Sequence, residues 1–155
     1  MTAMLSGFTD LLRGRQRRCD RVIVHVDAAF YNPRFAFHIE RGGKTFHAED
    51  DEMVIPGFSS VRSELEAFIK ALERLIDLGM SGEPITVHVD DKNLADLLNR
   101  DRTKSSKCYD AHLAARSLMA RFTDLTVQWM PREHNRAHRA AYRHRPRKMS
   151  PILTP

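Results

Sequence analysis

Residues 61–76, Val-Arg-Ser-Glu-Leu-Glu-Ala-Phe-Ile-Lys-Ala-Leu-Glu-Arg-Leu-Ile, carry the strongest helical pattern in the chain. The apolar side chains recur at the 3.6-residue spacing of an α-helix, at Val61, Leu65, Phe68, Ile69, Leu72, Leu75 and Ile76. Ser59 or Ser60 can cap this helix, because a hydroxyl accepts a hydrogen bond from free N–H groups of the first turn. Gly79 and Gly82 end it. The pattern predicts a long amphipathic helix in the middle of the chain.

Three strands are predicted before this helix. Residues 21–28 contain a near-continuous β-branched run, as in a central strand that is buried on both faces. Residues 35–40 and 44–48 flank Gly42 and Gly43, and these glycines predict the turn of a hairpin. The first part of the chain therefore predicts a central strand followed by an antiparallel pair.

Strands and helices alternate after the long helix. The pattern predicts strands at residues 85–89 and 125–130, and helices at residues 93–99, 107–122 and 133–142. In the helix at 107–122, four side chains are expected to point inward, namely Leu113, Leu118, Met119 and Phe122. This order of elements predicts an α/β fold with a mixed five-stranded sheet flanked by helices.

The length and composition suit one globular domain with two terminal extensions. The 155 residues, 42% of them hydrophobic, can bury a sizeable core. We expect the domain at residues 21–142, an amphipathic basic arm at residues 1–20 and a basic, disordered tail at residues 143–155. The arm resembles no secretory signal, because it lacks an uninterrupted apolar core and a small-residue cleavage site; an organellar presequence stays an alternative.

Two further observations lead us to expect a soluble cytoplasmic protein. No apolar run approaches the roughly 18 residues of a membrane span. Cys19 and Cys108 fit neither a metal-binding spacing nor a disulfide framework, which favours two reduced thiols.

Positive charge is concentrated towards the end of the chain. The net charge is +5, and residues 132–148 contain seven Lys and Arg and a single acid, Glu133. A basic segment of this kind suits a polyanion, with nucleic acid first, although a solvated basic tail has the same composition.

Three acidic residues occupy positions that can converge on one site. Asp27 lies at or near the end of the first strand, and Asp90 lies at the end of the fourth. If these strands are neighbours, the two carboxylates face each other across about one strand spacing, ~4.8 Å. Glu64 lies in the first turn of the long helix, at the border of its apolar face. Three converging carboxylates suit Mg²⁺ or Mn²⁺, and such sites cut phosphodiesters.

Three motifs make the chain resemble the type 1 ribonuclease H-like superfamily. Residues 62–72, Arg-Ser-Glu-Leu-Glu-Ala-Phe-Ile-Lys-Ala-Leu, are similar to the family's Arg-x-Glu-Leu-x-Ala-x-x-x-Ala-Leu. Residues 89–91, Val-Asp-Asp, are similar to its Thr-Asp-Ser, and residues 129–135, Trp-Met-Pro-Arg-Glu-His-Asn, to its Trp-Val-Pro-Arg-Glu-x-Asn. The resemblance covers about residues 21–142. It implies that Asp27, Glu64 and Asp90 are metal ligands.

The chain departs from this family at two places. The family's Asp-Gly-Ser motif and glycine-rich turn are replaced after Asp27 by residues 28–33, Ala-Ala-Phe-Tyr-Asn-Pro. The family's fourth carboxylate falls on Arg139, by its spacing from the asparagine of the last motif, and a one-residue shift brings His138 there instead as a possible ligand. Glu133 and His134 follow the fifth strand and can act as a substitute ligand and a proton shuttle.

The resemblance implies a metal-dependent endonuclease that cuts the RNA strand of RNA–DNA hybrids. Its expected partners are RNA–DNA hybrids or structured RNA, with phosphates contacted by four basic residues, Arg132, Arg136, Arg139 and Arg143. The alternative is a catalytically degenerate module of the same fold that binds nucleic acid or a protein partner. His25 and His88 precede Asp27 and Asp90 by two residues and share their face of the sheet; buried, hydrogen-bonded histidines are favoured over a zinc site there.

Overall fold

A mixed five-stranded sheet forms the centre of the computed structural model. Its strands are β1 Val22–Ala29, β2 Arg34–Arg41, β3 Lys44–Glu52, β4 Pro84–Val89 and β5 Asp124–Trp129. They lie in the order β3-β2-β1-β4-β5. β1 pairs antiparallel with β2 and parallel with β4, so it is the central strand and the point where the sheet changes direction. The predicted α/β fold with a mixed five-stranded sheet is confirmed.

The structure describes residues 21–29, 34–52, 60–100 and 108–142. The predictions for residues 1–20, for residues 143–155 including Arg143, for the capping hydroxyl groups of Ser59 and Ser60, and for the altered turn at residues 30–33 lie outside what is described.

The hairpin between β2 and β3 has the turn that the glycines predict. Gly42 and Gly43 have φ angles of 58° and 75°, in the left-handed region that disfavours side chains. The antiparallel pairing of Arg41 with Lys44 closes this turn.

Four helices and one 3₁₀ turn flank the sheet. The helices are α1 Ser60–Asp77, α2 Lys92–Arg100, α3 Tyr109–Met119 and α4 His138–Tyr142, and the 3₁₀ turn is Arg132–His134. α1, α2 and α3 share the main apolar core with the sheet, whereas α4 packs its alanines on Ala29 and Ala36 of β1 and β2. No helix in the described part of the chain combines the length and apolar character of a membrane span.

The long helix buries its predicted stripe with one exception. Leu65, Phe68, Leu72 and Leu75 are fully buried, whereas Val61 is 45% exposed. The expectation for Val61 is wrong because the first turn of α1 lies at the edge of the core. Gly79 follows the helix at a φ of 73°, as expected for the residue that ends it.

In α3, Leu113 was expected to point inward and is instead 47% exposed. The helix turns a different face towards the core, with Ala111, His112 and Ala115 as its buried residues. The face that packs in the core thus carries two alanines and a fully buried histidine, and Leu113 lies outside it. Phe122, which follows the helix, is buried as predicted.

The last helix is shorter than the predicted residues 133–142. Asn135 interrupts it, with extended backbone angles of φ −80° and ψ 110°. Its side-chain oxygen accepts from the backbone N–H of Ala137 at 2.9 Å, and its amide donates to the carbonyl of Val26 at 2.8 Å. Bonds from an asparagine side chain to nearby backbone compete with helix formation. The segment therefore splits into a 3₁₀ turn and the short helix α4.

Candidate functional site

Asp27 and Asp90 meet at one edge of the sheet. β1 and β4 run parallel with His25 opposite His88, so the two carboxylates, each two residues further on, occupy matching positions. One oxygen of each carboxylate and one ring nitrogen of His138 lie within 4.8 Å of one another. The convergence predicted for Asp27 and Asp90 is therefore present, and His138 joins them.

His138, at the start of α4, lies against the carboxylate of Asp27. Its Nδ1 atom is 2.7 Å from Oδ2 of Asp27. Arg139, which the motif spacing places at the fourth acidic position, is exposed and lines the neighbouring cavity. The alignment of this segment is thus shifted by one residue, because Asn135 adopts an extended conformation before α4 begins. The residue beside the carboxylates is His138.

The Asp27 carboxyl group is almost completely buried, at 1% exposure. Burial and the nearby Asp90 carboxylate raise the pKa of Asp27 to about 6, although hydrogen bonds from His138 and from the backbone N–H of Ala28 act in the opposite direction. Burial therefore disfavours the charged form of Asp27 more than the contacts with His138 and Ala28 favour it.

Glu64 in α1 takes part in the same electrostatic cluster. Burial, followed by the charges of Asp27 and Asp90, raises the pKa of Glu64 well above its usual value. Glu64 does not belong to the tight group formed by the two aspartates and His138. Glu64 is thus close enough to feel the charges of Asp27 and Asp90, but its carboxylate is not among the ligand atoms that lie within 4.8 Å of one another.

Asp90 is contacted by two side chains at the end of β5 and just after it. Arg132 Nε lies 3.3 Å from Oδ2 of Asp90, and the indole N–H of Trp129 donates to the Asp90 carbonyl oxygen at 3.2 Å. The Asp90 side chain is 3% exposed, whereas that of Arg132 is 63% exposed. The carboxylate of the neighbouring Asp91 instead accepts a hydrogen bond from the Leu94 N–H in the first turn of α2.

A basic cavity opens beside the carboxylates. It has a volume of about 530 Å³ and is lined by His38, Arg132, Glu133, His134, Asn135, Arg136, His138 and Arg139. Glu133 and His134 are exposed in the 3₁₀ turn, at the rim of this cavity. Of the four arginines expected to contact phosphate, the three in the described part of the chain all line it. The cavity therefore joins the carboxylate site to a positively charged surface.

A layer of histidines lies next to the site on the same face of the sheet. His25 in β1 pairs with His38 in β2 and with His88 in β4. His25 Nε2 and Arg136 Nε each lie 3.0 Å from Oε1 of the buried Glu40. Burial lowers the pKa of His25 to about 4, against the opposing effect of Glu40. His25 is thus buried and paired with Glu40, as expected. His88 is only half-buried, and its Nδ1 atom has no hydrogen-bond partner among the described residues, so the expectation of a hydrogen-bonded histidine does not hold for that nitrogen.

The sequence does not predict the contacts that His138, Asn135 and Glu40 make at the site. His138 was only the alternative in the motif register, and its signal was its position three residues after Asn135. Asn135 was treated as a motif residue, although it is 4% exposed and its amide reaches the carbonyl of β1 that precedes Asp27. Glu40 gave no signal, because its partners His25 and Arg136 are brought to it by the sheet and by the last segment.

Comparisons with known proteins agree with this fold. A family model described as reverse transcriptase-like matches residues 41–144. No match is found among curated protein sequences.

Three solved structures have the same architecture. Ribonuclease H1 from Halobacterium salinarum is 22% identical with a TM-score of 0.66, covering 78% of this chain and 93% of its own. The N-terminal ribonuclease H domain of rv2228c from Mycobacterium tuberculosis is 17% identical with a TM-score of 0.61, covering 80% of this chain and 97% of its own. LC11-RNase H1, isolated from compost by a metagenomic approach, is 19% identical in its complex with an RNA/DNA hybrid, with a TM-score of 0.61, covering 75% of this chain and 88% of its own.

The similarity to these solved structures shows the fold. The family model spans most of the chain. The resemblance inferred from the helix motif and from the Pro-Arg-Glu-His-Asn stretch is thereby confirmed. The chain belongs to the reverse transcriptase-like family and has the ribonuclease H-like fold.

Proposed function

We propose that this chain is a divalent-metal-dependent endonuclease that cuts the RNA strand of RNA–DNA hybrids. The observation that carries the proposal is the convergence of Asp27 and Asp90 at the ends of adjacent parallel strands, beside a cavity lined by three arginines. The RNA/DNA hybrid bound to LC11-RNase H1, a structure of the same fold, supports this substrate class.

The donor chemistry of the site fits Mg²⁺ or Mn²⁺. Asp27 and Asp90 offer oxygen ligands to one point, and Glu64 shares their field. Burial, followed by the charges of neighbouring carboxylates, raises the pKa values of Asp27 and Glu64, so a bound cation would favour their charged forms. A bound divalent ion in such a site lowers the pKa of the attacking water and stabilises the leaving oxygen.

The remaining residues of the cavity would bind and orient the substrate. Arg132, Arg136 and Arg139 offer guanidinium groups to phosphates, which fix the position of a duplex without reading its sequence. Arg143 continues the same basic segment in the sequence. His134, exposed at the rim, would carry a proton to or from the reacting phosphodiester. The 2′-hydroxyls of RNA would mark the strand to be cut.

A cleavage assay on a labelled RNA–DNA hybrid tests the proposal. The full chain should cut the RNA strand in Mg²⁺ or Mn²⁺ and should stop when EDTA is added. Asp27→Asn and Asp90→Asn should each abolish cleavage, because they remove a ligand charge. Asp124→Asn is the matched control, since that exposed carboxylate pairs with Arg21 and lies at the opposite end of β5; it should cut like the wild type.

A binding module without catalysis is the second candidate. It is favoured by the contacts that Arg132 and His138 already make with Asp90 and Asp27, since both partners can carry the positive charge that an ion would otherwise supply. In that case the chain binds the hybrid, and cleavage is absent in either metal. Hybrid binding that is equally strong in EDTA, without any cleavage, would support this second function over the first.

A further inference from the structure

We infer that His138 is itself a ligand of the ion and that its nitrogen shifts the preference of the site from Mg²⁺ towards Mn²⁺. The inference rests on the proposed function, because it assigns a metal selectivity to the same site. It starts from a geometric fact: a ring nitrogen of His138, an Asp27 oxygen and an Asp90 oxygen lie within 4.8 Å of one another, and Nδ1 of His138 is 2.7 Å from Oδ2 of Asp27. Three ligand atoms at this spacing can share one ion.

His138 is held in place and does not belong to a loose surface segment. The residue before it, Ala137, is 1% exposed and packs with Ala141 on β1 and β2. Asn135 ties the same segment to the Val26 carbonyl, one residue before Asp27 in β1. The backbone is therefore anchored before and after His138, and this anchoring positions the imidazole beside Asp27. Its side chain retains 29% exposure, so it lies between the buried carboxylate and the cavity.

The hydrogen bond between His138 and Asp27 is compatible with metal binding. Nδ1 can donate to the carboxylate while the proton is on that nitrogen. When the proton is on Nε2 instead, the Nδ1 lone pair points to the same small volume as the carboxylate oxygens. A neutral imidazole is the form that binds metals, and its two nitrogens exchange these roles by tautomerisation.

A nitrogen ligand discriminates between the two ions. Mg²⁺ is a hard ion that favours oxygen ligands in near-ideal octahedral geometry. Imidazole is a ligand of first-row transition metals. Mn²⁺ belongs to that series, although it shares with Mg²⁺ the preference for carboxylates. A fourth carboxylate would add negative charge and attract both ions, whereas His138 supplies a donor without charge. The site should therefore lose Mg²⁺ affinity more than Mn²⁺ affinity, relative to a site with a carboxylate at that position.

Two variants separate the donor atom from the charge. His138→Asp replaces the nitrogen by a carboxylate, and Arg139→Asp adds negative charge at the next residue without adding a ligand. Calorimetric titration of the full chain with Mg²⁺ and with Mn²⁺ gives the affinity ratio for each protein. We expect His138→Asp to lower the Mn²⁺-over-Mg²⁺ ratio by roughly tenfold or more. Arg139→Asp should strengthen the binding of both ions and leave their ratio unchanged, because added charge acts on two dications alike.

A spectroscopic measurement identifies the ligand directly. Electron spin echo modulation of the Mn²⁺-loaded wild type should contain the coupling of a coordinated ¹⁴N nucleus, and His138→Asp and His138→Gln should lose it. Mn²⁺ binding without that coupling, or an equal change of the ratio in His138→Asp and Arg139→Asp, overturns the inference and leaves the nuclease proposal standing. Nitrogen coupling in a protein that cuts no hybrid supports the ligand and refutes the nuclease.

Discussion

The imidazole Nδ1 of His138 lies 2.7 Å from the buried Oδ2 of Asp27, and this contact joins the central strand to the last helix. The contact therefore links the candidate metal site to the alanines that pack α4 on β1 and β2. Burial, and secondly the charge of Asp90, raise the pKa of the Asp27 carboxylate. The charged form of Asp27 therefore destabilises the fold when no cation is bound.

In metal-free protein, Asp27→Asn should stabilise the fold at pH 8. The pKa of Asp27 rises from 3.8 to about 6 in the folded chain, so its contribution to stability is fully present below pH 3.8 and is lost as pH rises through about 6. At pH 8 the asparagine variant should be more stable by roughly 1–3 kcal/mol, because it keeps the shape without the charge. At pH 3.5 the two proteins should be equally stable. Urea unfolding in EDTA measures both.

Asp124→Asn provides the comparison of opposite sign. The hydrogen bond from Arg21 lowers the pKa of this exposed carboxylate, so the substitution should slightly destabilise the protein at pH 8. A loss of stability at pH 8 for Asp27→Asn would contradict the account of the buried site.

Asn135→Ala should release the last segment from the sheet. The substitution removes a buried donor to the Val26 carbonyl and the acceptor for the Ala137 N–H, at a cost of roughly 2–3 kcal/mol. Because His138 follows by three residues, the variant should also lose most of its Mn²⁺ affinity. Unfolding and calorimetric titration measure the two effects.

Asn99→Ala is the matched control for the asparagine. Its amide donates to the Val127 carbonyl at 2.9 Å, but the residue is exposed, so water replaces the bond. We expect a loss of no more than about 1 kcal/mol and unchanged metal binding. Equal losses in the two variants would mean that Asn135 does not anchor the segment.

The sequence predicts the elements that depend on local patterns, but not those that depend on long-range contacts. The sheet, the long helix and the positions of Asp27 and Asp90 follow from local periodicity and from strand ends, and the structure confirms them. The conformation of residues 132–142 depends on a bond between Asn135 and Val26, which are 109 residues apart. A local pattern contains no record of such a contact, so the helix was predicted too long and Arg139 was placed where His138 lies.

Arg132→Ala should change metal binding and hybrid binding in opposite directions. Arg132 contacts the Asp90 carboxylate at 3.3 Å and competes with an ion for it. Removing the guanidinium should tighten divalent-metal binding a few-fold, a modest effect because the side chain is 63% exposed. The same change should weaken the binding of an RNA–DNA hybrid, since one phosphate contact is lost. Calorimetry with the ion alone and fluorescence anisotropy with the hybrid measure the two affinities.

Arg121→Ala is the control for general charge loss. Arg121 is exposed in the connection before β5, at the opposite end of that strand from Arg132. It should alter neither affinity appreciably. If Arg132→Ala weakened both ligands together, the arginine would be supporting the site and not competing for it.

Arg139→Asp should weaken hybrid binding and flatten its dependence on salt. Arg139 is exposed and lines the basic cavity next to His138, so it is positioned to contact a phosphate and not to occupy a ligand position. Each neutralised phosphate adds close to one unit to the slope of log affinity against log salt concentration, so the slope should fall by about 1. Arg121→Asp reverses the same charge at the far end of β5 and should leave the slope as it is. Because the aspartate would sit beside the cluster and not in it, Arg139→Asp should not reproduce the altered metal preference of His138→Asp. An unchanged salt slope together with an altered metal preference would restore Arg139 to the fourth ligand position and displace His138 from it.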